Sequence, residues 1–308
     1  MIHIAHLTKL YGSVIGVNDV TVDLDVGAHG LLGPNGAGKT TFLGLITGQL
    51  RPTMGRVEVF GEPPFANPRV LRRIGYCPAA DLAERHATPQ AWVRYLVRLS
   101  GFTGGEAESR AERAIEQVGL DSASRRPIAT LSKGMRQRVK IAGAIAHDPD
   151  LLVLDEPFIG LDPVARHELV HLVRGWSRDR SLIVASHLLH EVEALDAGLA
   201  VILGGRLVAS GAALEIRSLI ESLPAEIRVR CFPPQRFAEV AWRSTGVESV
   251  RVESEDIVVV ATRQPAALAA VAQQAAADGL AIAEVMPADR SLEGIFGRLV
   301  QLHRGVGP

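Results

Sequence analysis

The alternation of apolar and polar residues near the amino terminus predicts several short strands. The segment VNDVTVDLDV carries an apolar side chain at every second position over most of its length, as a half-buried strand does. IHIAHL and HGLLG are short runs of the same kind, and further strands are predicted at 56–60 (RVEVF) and 73–77. A glycine-rich turn follows HGLLG, and a helix is predicted to begin near Gly38.

From about 88 to 147 the apolar residues recur with a helical period. Three helices are predicted there, in the segments TPQAWVRYLVRL, EAESRAERAIEQV and KGMRQRVKIAGAIAHD. Gly119 and Pro127 separate the last two. We therefore expect a helical subdomain at about 85–147.

Two nearly continuous apolar runs follow, LLVLD at 151–155 and SLIVAS at 181–186. Such runs are typical of strands that are buried on both faces. Helices are predicted after each strand, at about 163–178 and 188–195. This alternation predicts a largely parallel sheet with helices on its faces, which is an α/β fold.

The composition changes after about residue 220, and the remainder reads as strand, helix, strand, strand, helix, strand, helix. The βαββαβ order predicts a small α+β module of the ferredoxin-like kind, with SLPAE at 222–226 as a linker. The expected domains are therefore 1–220 and 223–308.

Composition limits the classes of partner. The chain has 308 residues, 47% of them hydrophobic, and a net charge of −1, so its overall field does not favour nucleic acid. Cys77 and Cys231 lie in different predicted domains, which argues against a disulfide framework and fits a reducing cytosol. No uncharged apolar run approaches the ~18 residues of a membrane helix. If the protein acts on a membrane, we expect another chain to supply the spanning part.

The turn near Gly38 carries a phosphate-binding pattern. GPNGAGKT at 33–40 fits G-x-x-x-x-G-K-[ST] and lies between a predicted strand and a predicted helix, as that motif requires. Its glycines let the backbone N–H groups approach phosphates, and the helix N-terminus attracts negative charge. An ordinary glycine-rich turn is the alternative. The predicted nucleotide contacts are Gly33, Pro34, Asn35, Gly36, Ala37, Gly38, Lys39, Thr40 and Thr41.

LLVLDE at 151–156 supplies the second half of such a site. Its strand ends in Asp155, whose carboxylate can hold Mg²⁺ together with the Thr40 hydroxyl. Glu156 follows as the candidate base that orients the attacking water. Alone, the segment also fits a plain buried strand with a polar end.

Four further stretches resemble those of the ATP-binding cassette (ABC) ATPases. LSKGMRQR at 131–138 resembles the signature motif of that family, and GLDP at 160–163 resembles its D-loop. SH at 186–187 resembles its switch histidine, and Tyr11 lies where the family stacks an aromatic ring on adenine. The resemblance covers about residues 1–220, and it implies a P-loop NTPase core that binds ATP and Mg²⁺.

The resemblance also implies a dimer with two composite sites. Ser132, Lys133, Gly134 and Met135 would grip the γ-phosphate of ATP that is bound to the opposite subunit, with Asp162 of the D-loop nearby. His187 would contact the same phosphate and hold the water. Ser132 and Asp162 also fit simple helix caps or turns, and Tyr11 and His187 fit structural roles. Homodimer and heterodimer are both open, the homodimer being preferred.

LSKGM, IGYCP and ADRSLEGIF at 288–296 resemble the ATPase subunits of ABC-2-type exporters. This implies a separate membrane-spanning subunit and a position on the cytoplasmic face of the inner membrane. In that family the partner docks near the segment after residue 76. We expect partner contacts within 76–100, including Trp92 and Tyr95, although both also fit the core of a helical subdomain.

The chain departs from the family pattern at Ala79. The family places a glutamine here, the Q-loop residue, which contacts Mg²⁺ and the attacking water. A methyl group can do neither, so we expect ATP binding with slow hydrolysis. Asp81 or Gln90 could supply the missing contact instead.

Three functions remain open at this stage. A transport subunit driven by ATP-dependent dimer closure is preferred. The alternatives are a weakly hydrolysing, nucleotide-controlled clamp and a non-transport cassette. Nothing in the sequence encodes a transported substrate.

Overall fold

The computed structural model describes residues 1–177, 180–212, 215–216 and 224–287. The chain divides into two compact units, Met1–Ala213 and Leu214–Pro308. Strands of the first unit are β1 (Ile2–Tyr11), β2 (Val14–Leu24), β3 (Ala28–Leu32), β4 (Met54–Val59), β5 (Ile74–Cys77), β6 (Leu151–Asp155), β7 (Ser181–Ser186), β8 (Gly198–Leu203) and β9 (Arg206–Gly211). Its helices are α1 (Lys39–Ile46), α2 (Pro68–Leu71), α3 (Pro89–Leu99), α4 (Gly104–Gln117), α5 (Lys133–Ile145), α6 (Pro163–Trp176) and α7 (Leu189–Glu193), with short 3₁₀ turns at Asp121–Ala123 and Ile128–Thr130.

The central sheet positions the candidate site. Its strand order is β5-β6-β7-β3-β8-β9, and each neighbouring pair is parallel except the edge pair β8–β9. Because β6, β7 and β3 are adjacent and parallel, the segments that follow their carboxyl ends share one edge of the sheet. These segments are the ones that carry GPNGAGKT, Asp155 with Glu156, and His187.

The amino-terminal strands do not join the central sheet. β1 pairs with β2 and β4 in an antiparallel three-stranded sheet of order β2-β1-β4. One apolar core connects this sheet, helix α1 and the central sheet, and Ile4, Phe42 and Leu151 are fully buried within it. Each such side chain contributes about 1.5–3 kcal/mol to the free energy of folding. The largely parallel sheet predicted for the α/β core is confirmed, with this antiparallel sheet as an addition that was not predicted.

Helices α3, α4 and α5 pack on one another between β5 and β6 in the chain. Thr88 caps α3 through a hydrogen bond from Ala91 N (3.2 Å), and Pro89 follows at the first helical position, where it is well tolerated. Val93 and Val97 of α3 are buried, one turn apart, whereas Tyr95 is exposed. Helix α5 leads directly toward β6 and packs on β5.

The second unit contains β10 (Ala225–Phe232), α8 (Pro234–Arg243), β11 (Val247–Val252), β12 (Ile257–Thr262), α9 (Pro265–Ala277) and β13 (Ala281–Pro287). The sheet order is β11-β12-β10-β13 with every neighbouring pair antiparallel, as a ferredoxin-like βαββαβ module requires. Val229, Phe237 and Val258 form part of its own buried core.

Three sequence expectations need comment in this region. The linker predicted at 222–226 is too long, because β10 already begins at Ala225, where backbone pairing with Thr262 starts. Strands β8 and β9 were not predicted at all. The last predicted helix, including SLEGIF, lies outside the described residues.

Candidate functional site

The loop between β3 and α1 is shaped by close backbone contacts. Gly38 has φ 105°, and a Cβ atom there would lie 2.3 Å from Gly16 O. A Cβ atom on Gly33 would lie 2.3 Å from Ile202 O. Only glycine fits either position, since any other residue would collide with the backbone of β2 or β8.

Two backbone hydrogen bonds brace this loop from outside. Gly205 N donates to Ala37 O (2.9 Å), and Asn18 N donates to Gly205 O (2.7 Å). The first N–H groups of α1 have no acceptor within the helix and lie at the positive end of its dipole. The loop is therefore a preformed anion site that suits a phosphate chain.

The Lys39 ammonium lies inside this loop and is only 6% exposed. It donates to Gly33 O (2.6 Å) and Pro34 O (2.9 Å) and lies 3.2 Å from Glu156 Oε1. A buried positive charge is thus fixed between the phosphate loop and the end of β6.

Thr40 and Asp155 meet across the same edge of the sheet. Thr40 Oγ1 donates to Asp155 Oδ2 (2.8 Å), whereas the buried Asp155 Oδ1 has no hydrogen-bond partner among the described residues. Burial raises the pKa of Asp155, against the lowering effect of the Thr40 hydrogen bond. A hydroxyl beside a carboxylate with an unpaired oxygen is a donor set that fits Mg²⁺. The residues present therefore fit the predicted metal.

Glu156 and His187 form the next pair. Glu156 has φ 49°, in the left-handed region, and its N–H donates to Ala185 O (3.0 Å) of β7. This turn places the carboxylate between two partners, Lys39 and His187, and His187 Nδ1 lies 2.9 Å from Glu156 Oε2. An acid beside an imidazole can exchange or share a proton.

A buried group behind His187 was not predicted. Ser186 Oγ donates to Glu191 Oε2 (2.5 Å) and accepts from Leu188 N (3.0 Å), which fixes the turn that carries His187. Glu191 is 3% exposed, and Arg166 Nε lies 3.6 Å from its other oxygen. The signal in the sequence is the acidic residue four positions after His187, on the inward face of the short helix α7.

Tyr11 lies beside the start of α1. It is 45% exposed, and its hydroxyl is 3.5 Å from Thr41 Oγ1. An exposed ring next to the phosphate loop is available for stacking on a flat ligand.

The segment 132–135 and Asp162 lie at the starts of α5 and α6. Ser132 caps α5 through Met135 N (3.2 Å), and Asp162 caps α6 through Ala165 N (2.9 Å), so the capping contacts are present. A Cβ atom on Gly134 would lie 3.2 Å from Ala165 Cβ, which brings the two helix starts together. Within the described part of the chain, no hydrogen bond or ion pair joins this group to the phosphate loop.

Comparison with known proteins places the chain in a family. A family model described as ABC transporter matches residues 17–159. Nod factor export ATP-binding protein I of Burkholderia orbicola is 36% identical over 220 residues, which are 70% of this chain and 71% of that protein. The chain is a member of the ABC transporter family.

Two other ABC proteins are similar. The bacitracin transport ATP-binding protein BcrA of Bacillus licheniformis is 35% identical over 206 residues, and the match spans 66% of each protein. A dimeric ATP-binding cassette in a post-hydrolysis state with ADP and Pi shares the fold, with a TM-score of 0.63 at 20% identity over 69% of this chain and 99% of its own. ABC ATPases bind ATP with Mg²⁺ and hydrolyse it, and this chain is one of them.

The segment 77–81 of this ABC cassette contains Ala79, where the sequence predicts the Q-loop, and is called the Q-loop segment below. Ala79 is exposed, and its carbonyl accepts from Lys140 Nζ at 3.4 Å. Asp81 accepts from Arg136 Nε (3.2 Å) and lies 3.7 Å from Arg85. Gln90 donates to Glu108 (2.7 Å) on α4. Both polar groups that could replace the missing glutamine are thus engaged with other partners.

A groove of about 730 Å³ lies beside the Q-loop segment of the cassette. Trp92 lines it and packs on α5, where a Cβ atom on Gly143 would lie 2.5 Å from the indole. Tyr95 and Leu99 of α3 are 58% and 66% exposed. Trp92 therefore has a packing role in the helical subdomain, whereas more than half of Tyr95 is open to solvent. Among the helices that the structure describes, none combines the length and the hydropathy of a membrane span.

Proposed function

We propose that this chain is the ATP-hydrolysing subunit of an ABC-2-type exporter whose membrane-spanning part is a separate protein. The observation that carries the proposal is the contact series at one sheet edge, in which Thr40 bonds to Asp155 while Lys39 and His187 both contact Glu156. Export is supported by relatives whose names refer to Nod factor export and bacitracin transport.

The phosphate chain of ATP fits the loop at 33–41. Its N–H groups and the Lys39 ammonium supply the positive field, and Tyr11 supplies a surface for the adenine ring. Thr40 and Asp155 would hold Mg²⁺, which neutralises charge that develops on the phosphates. Asn35 and Ala37 shape the same loop.

Glu156 and His187 carry the hydrolytic step in this proposal. The Glu156 carboxylate accepts a hydrogen bond from the attacking water, and His187 orients that carboxylate from 2.9 Å. Ser186 and Glu191 fix the turn that carries the imidazole.

The signature segment completes the site in a dimer. Ser132 caps α5, and Lys133, Gly134 and Met135 form its first turn. Among the described residues, no hydrogen bond joins this segment to the phosphate loop of its own chain. A second cassette, either another copy or a different chain, would bring this N-terminus to the γ-phosphate. Asp162 would lie at the same interface through the contact between Gly134 and Ala165.

The groove beside the Q-loop segment is the proposed docking place for the membrane subunit. Exposed Tyr95 and Leu99 offer apolar surface at its side. Such docking would hold the chain on the cytoplasmic face of the membrane. The transported substrate would contact only the membrane subunit.

A second candidate function is a clamp that closes on ATP and hydrolyses it slowly. Ala79 favours it, because the methyl side chain of alanine can neither orient water nor hold Mg²⁺.

Co-purification with the membrane protein encoded beside this chain tests the proposal. We expect a stable detergent complex with ATPase activity that rises when the membrane subunit is present. A complex that forms but leaves the ATPase rate flat would favour the clamp. Failure of every candidate membrane subunit to bind would contradict a transport role.

A further inference from the structure

Side chains of helix α5 form hydrogen bonds to every second residue of the Q-loop segment. Gln137 Nε2 donates to Cys77 Sγ (3.6 Å), Lys140 Nζ donates to Ala79 O (3.4 Å), and Arg136 Nε donates to Asp81 Oδ2 (3.2 Å). The three donors lie within about one and a half turns of a single helix. The segment is therefore attached to α5 along its whole length.

Lys140 is the unusual member of this set because its ammonium is buried. The residue is 5% exposed, and no carboxylate in the described residues lies within ion-pair distance of its nitrogen. Asp81, the nearest acidic residue along the segment, is already paired with Arg136. Burial lowers the pKa of Lys140, whereas Cys77, Asp81 and Asp155 oppose that effect. A lysine is seldom buried unless its ammonium is bonded.

The position of Lys140 also connects two functional segments. Ser132 caps the start of α5, and Lys140 follows eight residues later, about 12 Å along the same helix. A helix of this length behaves as a rigid rod between its ends. If the N-terminus of α5 contacted the γ-phosphate of ATP bound to the opposite subunit, the resulting movement of the helix would thus reach Ala79 through Lys140.

We propose that Lys140 is a positioning residue that holds the Q-loop segment against α5. Helix α5 then sets the position of the loop, in place of a glutamine side chain at position 79. The loop backbone then follows α5 when the dimer closes. This inference rests on the signature role proposed above for Ser132–Met135.

Hydrogen exchange of the purified chain without nucleotide tests the contact itself. In Lys140→Met we expect the amides of 79–86 to exchange about 10-fold faster, because a low-stability loop has lost its tether. Lys140→Arg keeps a buried cation and should stay within about 3-fold of the native rate. Arg113→Met, which removes an exposed cation from α4, serves as the matched control and should change nothing.

Steady-state hydrolysis separates positioning from general damage. Lys140→Met should lower kcat about 10-fold and leave KM for ATP within about 2-fold, since the loop acts on the reacting geometry and not on ATP binding. Ala79→Glu should slow the amide exchange of 79–86 when Lys140 is present, and should not slow it in the Lys140→Met background.

Two results would overturn the inference. One is unchanged amide exchange of 79–86 in Lys140→Met. The other is a uniform increase in exchange across β5 and α5, which would mean that the lysine only stabilises the subdomain. The exchange measurement does not depend on ATPase activity. It therefore tests the role of Lys140 even if the chain binds no membrane subunit.

Discussion

His187 Nδ1 lies 2.9 Å from Glu156 Oε2, and the other oxygen of the same carboxylate lies 3.2 Å from the Lys39 ammonium. One carboxylate thus touches the phosphate loop on one side and the end of β7 on the other. Residues that contact each other in this way act as a unit, so their effects on catalysis should not add.

Replacement of the carboxylate is the first prediction. Glu156→Gln should lower kcat by at least about 100-fold while ATP binding persists, because the group that accepts the hydrogen bond of the water is lost. His187→Ala should also slow hydrolysis, and the double variant should be hardly slower than Glu156→Gln. Steady-state ATPase assays and size-exclusion chromatography with ATP measure both effects, and we expect Glu156→Gln to accumulate as a closed dimer.

The control for this prediction is His190→Ala, which removes an exposed imidazole three residues away. Its rate should equal the native rate. Full activity of Glu156→Gln would show that another group carries the step.

The second prediction concerns Mg²⁺. Thr40→Val removes the hydroxyl that bonds to Asp155 (2.8 Å) and should raise the Mg²⁺ concentration for half-maximal activity about 10-fold or more. Thr40→Ser keeps the hydroxyl and should restore the native midpoint. An unchanged Mg²⁺ midpoint in Thr40→Val would remove this residue from the metal site.

The third prediction concerns the missing glutamine. Ala79→Gln should raise the ATPase rate about 10-fold, because the added amide can orient water and contact Mg²⁺. Ala80→Gln, its exposed neighbour, is the matched control and should have no such effect. Equal steady-state rates for Ala79→Gln and the native chain would mean that this alanine does not limit turnover.

The fourth prediction concerns alkaline stability. Burial raises the pKa of the Cys77 thiol from 9.0 to about 12. Between these values the unfolded thiol loses its proton while the folded thiol keeps it. The unfolded state then binds fewer protons, so the free energy of unfolding falls as pH rises, by up to about 1.4 kcal/mol per pH unit.

Thermal unfolding of native chain and Cys77→Ala at pH 8 and pH 10.5 measures this contribution. The buried thiol should add most to stability at pH 8, and its advantage over alanine should shrink at pH 10.5. Both chains keep Tyr76, whose pKa is raised to about 12 chiefly by burial, so the burial part of that shift is common to both. A stability difference that is independent of pH would contradict the prediction.

The parts of the fold that could be predicted from sequence are those that depend on local pattern. LLVLD and SLIVAS became β6 and β7 with their predicted bounds, because continuous apolar runs next to turn residues specify buried strands. The phosphate loop was visible because its glycines and Lys39 act within one short segment.

Other features depend on contacts between distant segments. Lys140 and Ala79 are 61 positions apart, and no periodicity in either segment reveals their contact. β8 is a short apolar run that fits a strand or a buried helix equally well, and β9 is only partly buried and shows no alternation. The antiparallel β2-β1-β4 sheet likewise depends on pairing partners that lie up to 57 positions apart, as Ile2 and Val59 do.

The bracing of the phosphate loop by Gly16, Ile202 and Gly205 has a thermodynamic consequence. The loop is held in shape by the backbone of β2 and of the β8–β9 hairpin. Association with ATP therefore loses little conformational entropy at the loop, so more of the interaction energy appears as affinity. The free energy of ATP binding is then available to join two subunits and is not consumed in ordering the phosphate loop.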